Sequence, residues 1–310
     1  MNISIIIPVY NAACFVEIAV LSALEQAETV EVILVEDGSK DHSLIICQQL
    51  SEQHDKVFCF QHPNGINRGA GASRNLGIHE AKSEWIAFLD ADDYFLPNRF
   101  QFASTILDSH PDAEGVYEAI GVDYYSEQAQ LLYEQYGGAT ELTTVRNPNI
   151  HPNQLFTYLI TQPRERFHLN ALILRKELAN RINGFNETLK QTQDTDFIWR
   201  VALQGKLYPG LIDQPIAMRR VHIGNRILNR EEALRYRRFF ANLWFDRMLE
   251  EDWSKAINRA IFRRKLDSIQ QWFSSWNSWY RVPVKMSYAL YLFIRYPRLW
   301  EKIFSSLRSH

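Results

Sequence analysis

The chain is poor in cysteine. Cys14, Cys47 and Cys59 are the only three in 310 residues, and none forms a Cys-x-x-Cys pair. This argues against a disulfide framework and a structural zinc site, and it fits a reducing cytosol. No apolar run reaches the ~18 residues of a membrane-crossing helix, so no transmembrane segment is expected. Met1–Tyr10 lacks a basic start followed by a long apolar stretch. It reads as a strand, not as a signal peptide. Internal repeats and low-complexity stretches are also absent. With 46 % hydrophobic and 23 % charged residues, the composition excludes global disorder.

Charge is nearly balanced overall, at −2 from 34 Lys+Arg and 36 Asp+Glu, but its distribution is uneven. Residues 1–218 hold 15 basic and 28 acidic residues, a net −13. Residues 219–310 hold 19 basic and 8 acidic, a net +11, together with six of the eight tryptophans. Such a split points to two parts with different partners.

The acidic part alternates strand and helix patterns. Ile3–Val9, Val30–Val35, Val57–Gln61 and Trp85–Leu89 are short apolar runs, as in parallel strands buried on both faces. Helical spacing fills Ala13–Gln26, Asp41–Gln53 and Ala70–Lys82 between them. This is the pattern of a doubly wound α/β sheet. Further on, Val116–Tyr125 and Ala171–Leu174 read as strands, Leu131–Asn153 as an irregular loop and Asp194–Gln204 as a helix. From Arg219 the pattern becomes helical, with basic and aromatic residues interleaved.

Open α/β sheets bind ligands at the carboxyl ends of their strands. Acidic residues collect there: Asp37 after the second strand, and Asp90, Asp92 and Asp93 after the fourth. Asp-Ala-Asp at a strand end offers hard oxygen ligands for Mg²⁺ or Mn²⁺. A bare Asp-x-Asp is equally an acidic turn that caps a helix; the apolar strand before it and the second acidic strand end favour the ligand reading. Arg68–Asn75 opens a helix with glycines, which lets backbone approach a phosphate. The segment does not follow the first strand and lacks a third glycine, so it is no dinucleotide fingerprint.

Ile5-Ile6-Ile7-Pro8-Val9-Tyr10-Asn11, Val35-Glu36-Asp37-Gly38-Ser39, Asn67 with Ser73-Arg74-Asn75-Leu76-Gly77, and Phe88-Leu89-Asp90-Ala91-Asp92-Asp93 together resemble the family 2 glycosyltransferases of the GT-A fold. Asn183-Gly184-Phe185-Asn186-Glu187 and Gln193-Asp194-Thr195-Asp196-Phe197 with Arg200 extend the resemblance, in family order, to about residue 222. It implies a GT-A fold with a mostly parallel central sheet flanked by helices, and inverting transfer from a nucleotide-sugar to an acceptor hydroxyl with Mn²⁺ or Mg²⁺. The expected domain is 1–222, with a nucleotide half (1–110) and an acceptor half (111–222); residues 223–310 form a basic aromatic helical extension.

By the same resemblance, Pro8, Val9 and Tyr10 line the base pocket and Asp37 accepts from the base, a uracil. Arg74 lies near the base or diphosphate. Asp90, with Ala91 beside it, faces the ribose and metal, Asp92 ligates the metal, and Asp93 orients the donor sugar or caps a helix. His222 sits where relatives carry a histidine over the metal. Asp194 is the expected general base, kept ionised by the helix it precedes. His168, Asn170 and Gln193 are expected near the acceptor, a glycan or lipid-linked molecule of cell-surface or extracellular polysaccharide synthesis. Gln193 stands where the family usually has Glu, which leaves open a nucleotide-sugar-binding protein with impaired catalysis. A nucleotidyltransferase would place a Gly-rich loop after the first strand, where this chain has Pro8-Val9-Tyr10-Asn11.

Beyond the resemblance, Glu231–Ile261 and Leu266–Trp279 read as helices, and Ser287–Ile294 as about two apolar turns. Trp and Tyr mixed with Lys and Arg suit either a helical cap, on this chain or on a second copy, or the anionic inner face of a membrane. No nucleic-acid-binding motif is present, so no nucleic-acid partner is expected.

Overall fold

The structure, a computed structural model, describes residues 1–135, 142–224, 230–270 and 278–304. Gly137 and Gly138 of the expected loop, and Trp272 and Trp276 of the expected aromatic face, lie outside the described residues.

The first half runs β1 (Ile3–Val9), α1 (Val16–Leu24), β2 (Thr29–Glu36), α2 (Ser43–Gln53), β3 (Val57–Gln61), α3 (Ala70–Glu80), β4 (Trp85–Phe88), β5 (Tyr94–Phe95) and α4 (Gln101–Ser109). Then come β6 (Gly115–Tyr117), β7 (Ala119–Tyr124), α5 (Glu127–Gln135), α6 (Pro152–Thr161), β8 (Leu172–Arg175), α7 (Lys176–Arg181), α8 (Gln193–Gln204), β9 (Leu207–Pro209) and β10 (Pro215–Val221). The last four elements are α9 (Arg230–Glu250), α10 (Lys255–Gln270), α11 (Ser278–Arg295) and α12 (Leu299–Phe304).

The chain divides into two compact units, residues 1–156 with 164–228, and residues 157–163 with 229–310. In the first unit the main sheet has the order β3-β2-β1-β4-β8-β6-β9. Strands β3, β2, β1 and β4 are parallel, β8 runs antiparallel to β4 and to β6, and β9 is parallel to β6. β1 lies at the centre, and its Ile3, Ile5, Ile6, Ile7 and Val9 are fully buried, so both faces are covered. A second sheet, β5-β10-β7, stands beside the carboxyl end of β4.

The strand expected over Val116–Tyr125 is two strands in different sheets, parted at Glu118. The fully buried Glu118 carboxylate takes a hydrogen bond from the buried Arg99 guanidinium and another from the Leu211 amide at 3.1 Å. Its inward turn ends one ladder and starts the next. The region read as an irregular loop carries the end of α5 and the start of α6. Helix α5 buries only Ala129 and Tyr133, against Val221, which leaves a faint periodicity. Arg219 and Arg220 belong to strand β10, so the helical pattern begins later than the sequence implies.

The second unit packs α9, α10, α11 and α12 around Trp244, Phe245, Met248, Ile261, Leu292 and Ile303. The long helix expected over Glu231–Ile261 is broken after Glu250. Ser254 caps the next helix, its Oγ accepting from the Ile257 amide at 3.4 Å. Among the described residues, no helix is long and apolar enough to cross a membrane.

Gly77 sets how closely α3 approaches β1. A Cβ there would lie 2.3 Å from Ile6 Cγ2. Helix propensity alone predicts that Gly77→Ala stabilises by up to ~1 kcal/mol. The close approach reverses the sign, and a net loss of about 1–3 kcal/mol is expected. Urea denaturation of the full chain measures it, and a gain in stability would show that α3 moves away freely.

Candidate active site

The site forms where β1, β2 and β4 end. The turn after β1 is pinned to the turn after β2: the Asn11 and Ala12 amides donate to Ser39 Oγ and Ser43 Oγ at 2.9 and 2.8 Å, and Lys40 N donates to Asn11 Oδ1 at 2.8 Å. Val9 is buried, while Pro8 and Tyr10 are half-buried at the rim. The Asp37 amide donates to Val9 O at 2.8 Å, which sets Asp37 beside them.

Asp37 is buried, and its two carboxylate oxygens accept the Arg68 and Gly69 amides at 2.7 and 2.8 Å. It therefore anchors the entry to α3. Each oxygen keeps a second lone pair, so a ligand donor can still be accepted. His62, unmarked by any sequence signal, lies 3.6 Å from Asp37 Oδ1 and within 3.2 Å of Ser73 Oγ.

Arg74, in the second turn of α3, donates from Nη2 to Asp90 Oδ1 at 2.6 Å. Its Nε and Nη1 are buried without a hydrogen-bond partner. Buried donors are rarely left so, and they mark a place for a ligand oxygen.

The turn after β4 holds Asp90, the buried Ala91, Asp92 and Asp93. Burial alone would raise the Asp90 carboxyl, but the Arg74, His168 and Arg219 charges outweigh it and hold it below the ordinary range. Asp93 moves the other way. Burial, then the Asp92 and Asp90 charges, push it well up, although it accepts from Arg220 N at 2.8 Å and Asn170 Nδ2 at 2.6 Å. Asp92 is half-buried, and its Oδ2 lies 3.2 Å from His222 Nε2. The His222 ring rests on Phe15 at 4.7 Å.

Two groups suit a divalent cation. Asp92 and His222, the expected pair, are in direct contact. Asp90, Asp93 and His168 also bring one donor atom each within 4.8 Å of one another. Carboxylates crowded in this way are relieved by a cation, and carboxylate oxygens with an imidazole fit Mn²⁺, or Mg²⁺ through the oxygens. The residues present therefore fit such an ion.

The acceptor-side expectations divide. His168 Nδ1 accepts from Asn170 N at 3.3 Å, which assigns the proton of a neutral ring to Nε2, 4.0 Å from Asp90 Oδ2. Asn170 is fully buried. Its Oδ1 accepts from Asp90 N at 3.2 Å, its Nδ2 donates to Asp93, and its carbonyl accepts from Arg99 Nη2 at 3.0 Å. Asn170 thus fixes the aspartate turn from beneath and does not face an acceptor, a correction to the sequence reading. Gln193 is nearly buried, and its Oε1 lies 2.7 Å from where a Cβ on Gly71 would sit. Asp194 is half-buried in the first turn of α8, with no hydrogen bond or ion pair among the described residues.

Two motifs far apart in the chain are stitched together. Asn75 Oδ1 accepts from Phe185 N at 2.7 Å, and Asn75 Nδ2 donates to Glu187 Oε1 at 3.0 Å. Arg200 bonds Asp196 at 2.8 Å and the Ile182 and Gly184 carbonyls at 2.7 Å each. Asp196 accordingly orients Arg200, and Arg200 holds the Asn183–Glu187 loop against α8. Sequence reasoning gave Arg219 no role. It lies over Tyr133; burial lowers its pKa against the pull of Asp93, Asp90 and Asp92, and its Nη2 is buried without a partner. Its only signal was its place three residues before His222.

Comparison with known proteins bears on the family and the fold. The family model "Glycosyl transferase family 2" matches residues 4–157. An uncharacterized glycosyltransferase of Haemophilus influenzae is 26 % identical over 241 residues, covering 76 % of this chain and 75 % of that protein. The minor teichoic acid biosynthesis protein GgaA of Bacillus subtilis is 28 % identical over 222 residues, covering 66 % of this chain but only 44 % of that longer protein. The crystal structure of Staphylococcus aureus TarS 1–349 in complex with UDP-GlcNAc superposes with a TM-score of 0.62 at 20 % identity, covering 88 % of this chain and 73 % of that one. The last likeness is one of fold. Through residues 4–157, the chain belongs to glycosyl transferase family 2.

Proposed function

We propose that the protein transfers a sugar, with inversion, from a UDP-sugar to the hydroxyl of a glycan or lipid-linked acceptor in cell-surface or extracellular polysaccharide synthesis. The observation that carries this reading is the aspartate turn after β4, faced by two arginines, Arg74 and Arg219, with buried and unpartnered donor nitrogens. A nucleoside diphosphate supplies the oxygens such donors lack. The site of this family member lies at the carboxyl ends of parallel strands, as nucleotide sites in open sheets do. The UDP-GlcNAc bound by TarS and the teichoic acid role of GgaA support the donor and acceptor classes. Such a donor and three free thiols suit the cytosol.

In this reading the half-buried Tyr10 and Pro8 flank the base, and Asp37, already fixed by two amides, accepts a uracil N3–H with its remaining lone pairs. Arg74 and the amino end of α3 face the diphosphate. Asp92 and His222 would hold Mn²⁺ or Mg²⁺, with Asp90 beside them. When bound, the ion stabilises the charge that grows on the departing diphosphate. Asp194 takes the proton of the attacking acceptor hydroxyl, its carboxylate being engaged by no other described residue. Gln193 favours a second reading, a nucleotide-sugar-binding protein without catalysis.

Two measurements separate these readings. With Mn²⁺ present, UDP is expected to raise the melting temperature and GDP to leave it nearly unchanged; at ~100 times the dissociation constant the gain is about 2.7 kcal/mol. An equal response to GDP overturns the uracil assignment. In a UDP-release assay with a mixed acceptor pool, Asp194→Asn is expected to lose about 10²–10⁴-fold in turnover. The same variant should keep the UDP-induced thermal shift. Full activity in it removes Asp194 as the base, and no release by the native chain with any acceptor supports the binding-only reading. Asp92→Asn is expected to lose both transfer and the Mn²⁺ dependence of the shift, and retention of that dependence moves the cation to Asp90, Asp93 and His168.

A further inference from the structure

Among the described residues, the second unit shows an apolar ridge that its own packing does not account for. Helix α11 buries Leu292 and sets Phe293 against Phe262 and Trp300, with ring centroids 5.4 Å apart in both cases. That face belongs to the core. The opposite face is apolar as well: Met286, Leu290, Tyr291 and Ile294 are 68, 61, 54 and 71 % exposed. Met286, Leu290 and Ile294 stand four residues apart and form one ridge, about 12 Å long at the helical rise. Tyr291 flanks it, and Trp300 on α12 is 57 % exposed. A helix that only caps a fold turns Lys, Glu or Gln outward at such positions.

Charge decides what covers the ridge. Lys285 and Lys302 are already matched by Asp267 and Asp252, at 2.7 and 3.3 Å. Arg295 and Arg298 are exposed, and neither takes part in an ion pair among the described residues. Against these two arginines stands the exposed Glu301 beside Trp300, so the uncompensated charge beside the ridge is net positive, in a stretch with a net +11 over residues 219–310. A second copy meeting the ridge across a two-fold axis would bring these arginines towards their own counterparts. A surface of anionic headgroups over acyl chains meets both halves of the patch: Leu and Ile side chains enter the boundary, Tyr and Trp sit at headgroup depth, and guanidinium groups take the phosphates.

We propose that the outer face of α11, with Trp300, Arg295 and Arg298, docks the protein on an anionic lipid surface without crossing it. The proposal does not depend on the sugar-transfer reading, because docking is measured without donor or acceptor. If both hold, the acceptor is met at the membrane.

The test is flotation of the full chain with vesicles of phosphatidylcholine alone and of phosphatidylcholine mixed with phosphatidylglycerol. The native chain is expected to float with the mixed vesicles and to remain behind with the neutral ones. The double substitution Leu290→Glu and Ile294→Glu is expected to cut the bound fraction about tenfold or more. Arg295→Gln with Arg298→Gln is expected to weaken partition about fivefold per arginine at low salt, and added salt to weaken the native chain likewise. All four side chains are exposed, and an unchanged thermal melt checks each fold. Equal flotation with neutral vesicles, or no flotation of the native chain, overturns the proposal. So does a double-glutamate variant that floats like the native chain. A native dimer that the glutamates convert to monomer, with no vesicle binding, assigns the ridge to a second copy instead.

Discussion

Asp90, Asp92 and Asp93 occupy one short turn, and their mutual repulsion is the constraint around which the first unit is arranged. Each is relieved from a different direction. Arg74 reaches Asp90 from α3, and Asn170 and the Arg220 amide hold Asp93 from the residues before β8 and from β10. His222, just beyond β10, meets Asp92. Burial raises the Asp93 carboxyl while the surrounding cations lower that of Asp90. Carboxylates a few residues apart thus differ because their surroundings differ. Without β10 the turn would lose the Arg220 amide, His222 and Arg219 together, so the small second sheet is part of the site and not an ornament on the main one.

Beneath the turn, a buried polar chain fixes its height. Glu118 bonds Arg99, Arg99 bonds the Asn170 carbonyl, and the Asn170 amide group spans Asp90 and Asp93. Arg99 also lies over Phe95 and Phe100, at 5.4 and 4.8 Å. A buried ion pair is weak evidence for stability, since desolvation costs much of what the pair gains. Removing one member would leave the other charged and unpaired, so the network specifies position more than it adds stability.

The half of the site that rests on contiguous motifs was legible in the sequence. Apolar strands ending in Pro8-Val9-Tyr10, Asp37 and the aspartate turn can be read because a parallel sheet forces hydrophobic runs and places their ends at one edge. The rest depends on contacts between residues far apart in the chain. Glu118 looks like one acidic residue inside a strand, and nothing near it points to Arg99, 19 residues earlier. β5 is two residues long, and β10 carries two arginines, so neither shows strand periodicity. Asn170 was noticed for the right neighbourhood and assigned the wrong task, because a sequence does not tell an exposed amide from one that is fully enclosed. The motif residues Asn75 and Glu187 stood out, while the bond that joins them across 112 positions did not.

The charge split has a consequence for the proposed chemistry. A nucleoside diphosphate approaching residues 1–218 meets a net −13, and three of those carboxylates, Asp90, Asp92 and Asp93, are crowded at the site itself. Two charges ~5 Å apart near a protein surface interact by about 3 kcal/mol at an effective dielectric of about 20. Arg74 is already shared with Asp90, and Arg219 answers to all three aspartates. In the proposed function these side chains orient the diphosphate while the acidic turn opposes it. A divalent cation would offset that opposition, and cation and donor would then each raise the other's affinity by the same factor, as linkage requires. In that case the acidic turn would make donor binding depend on the cation.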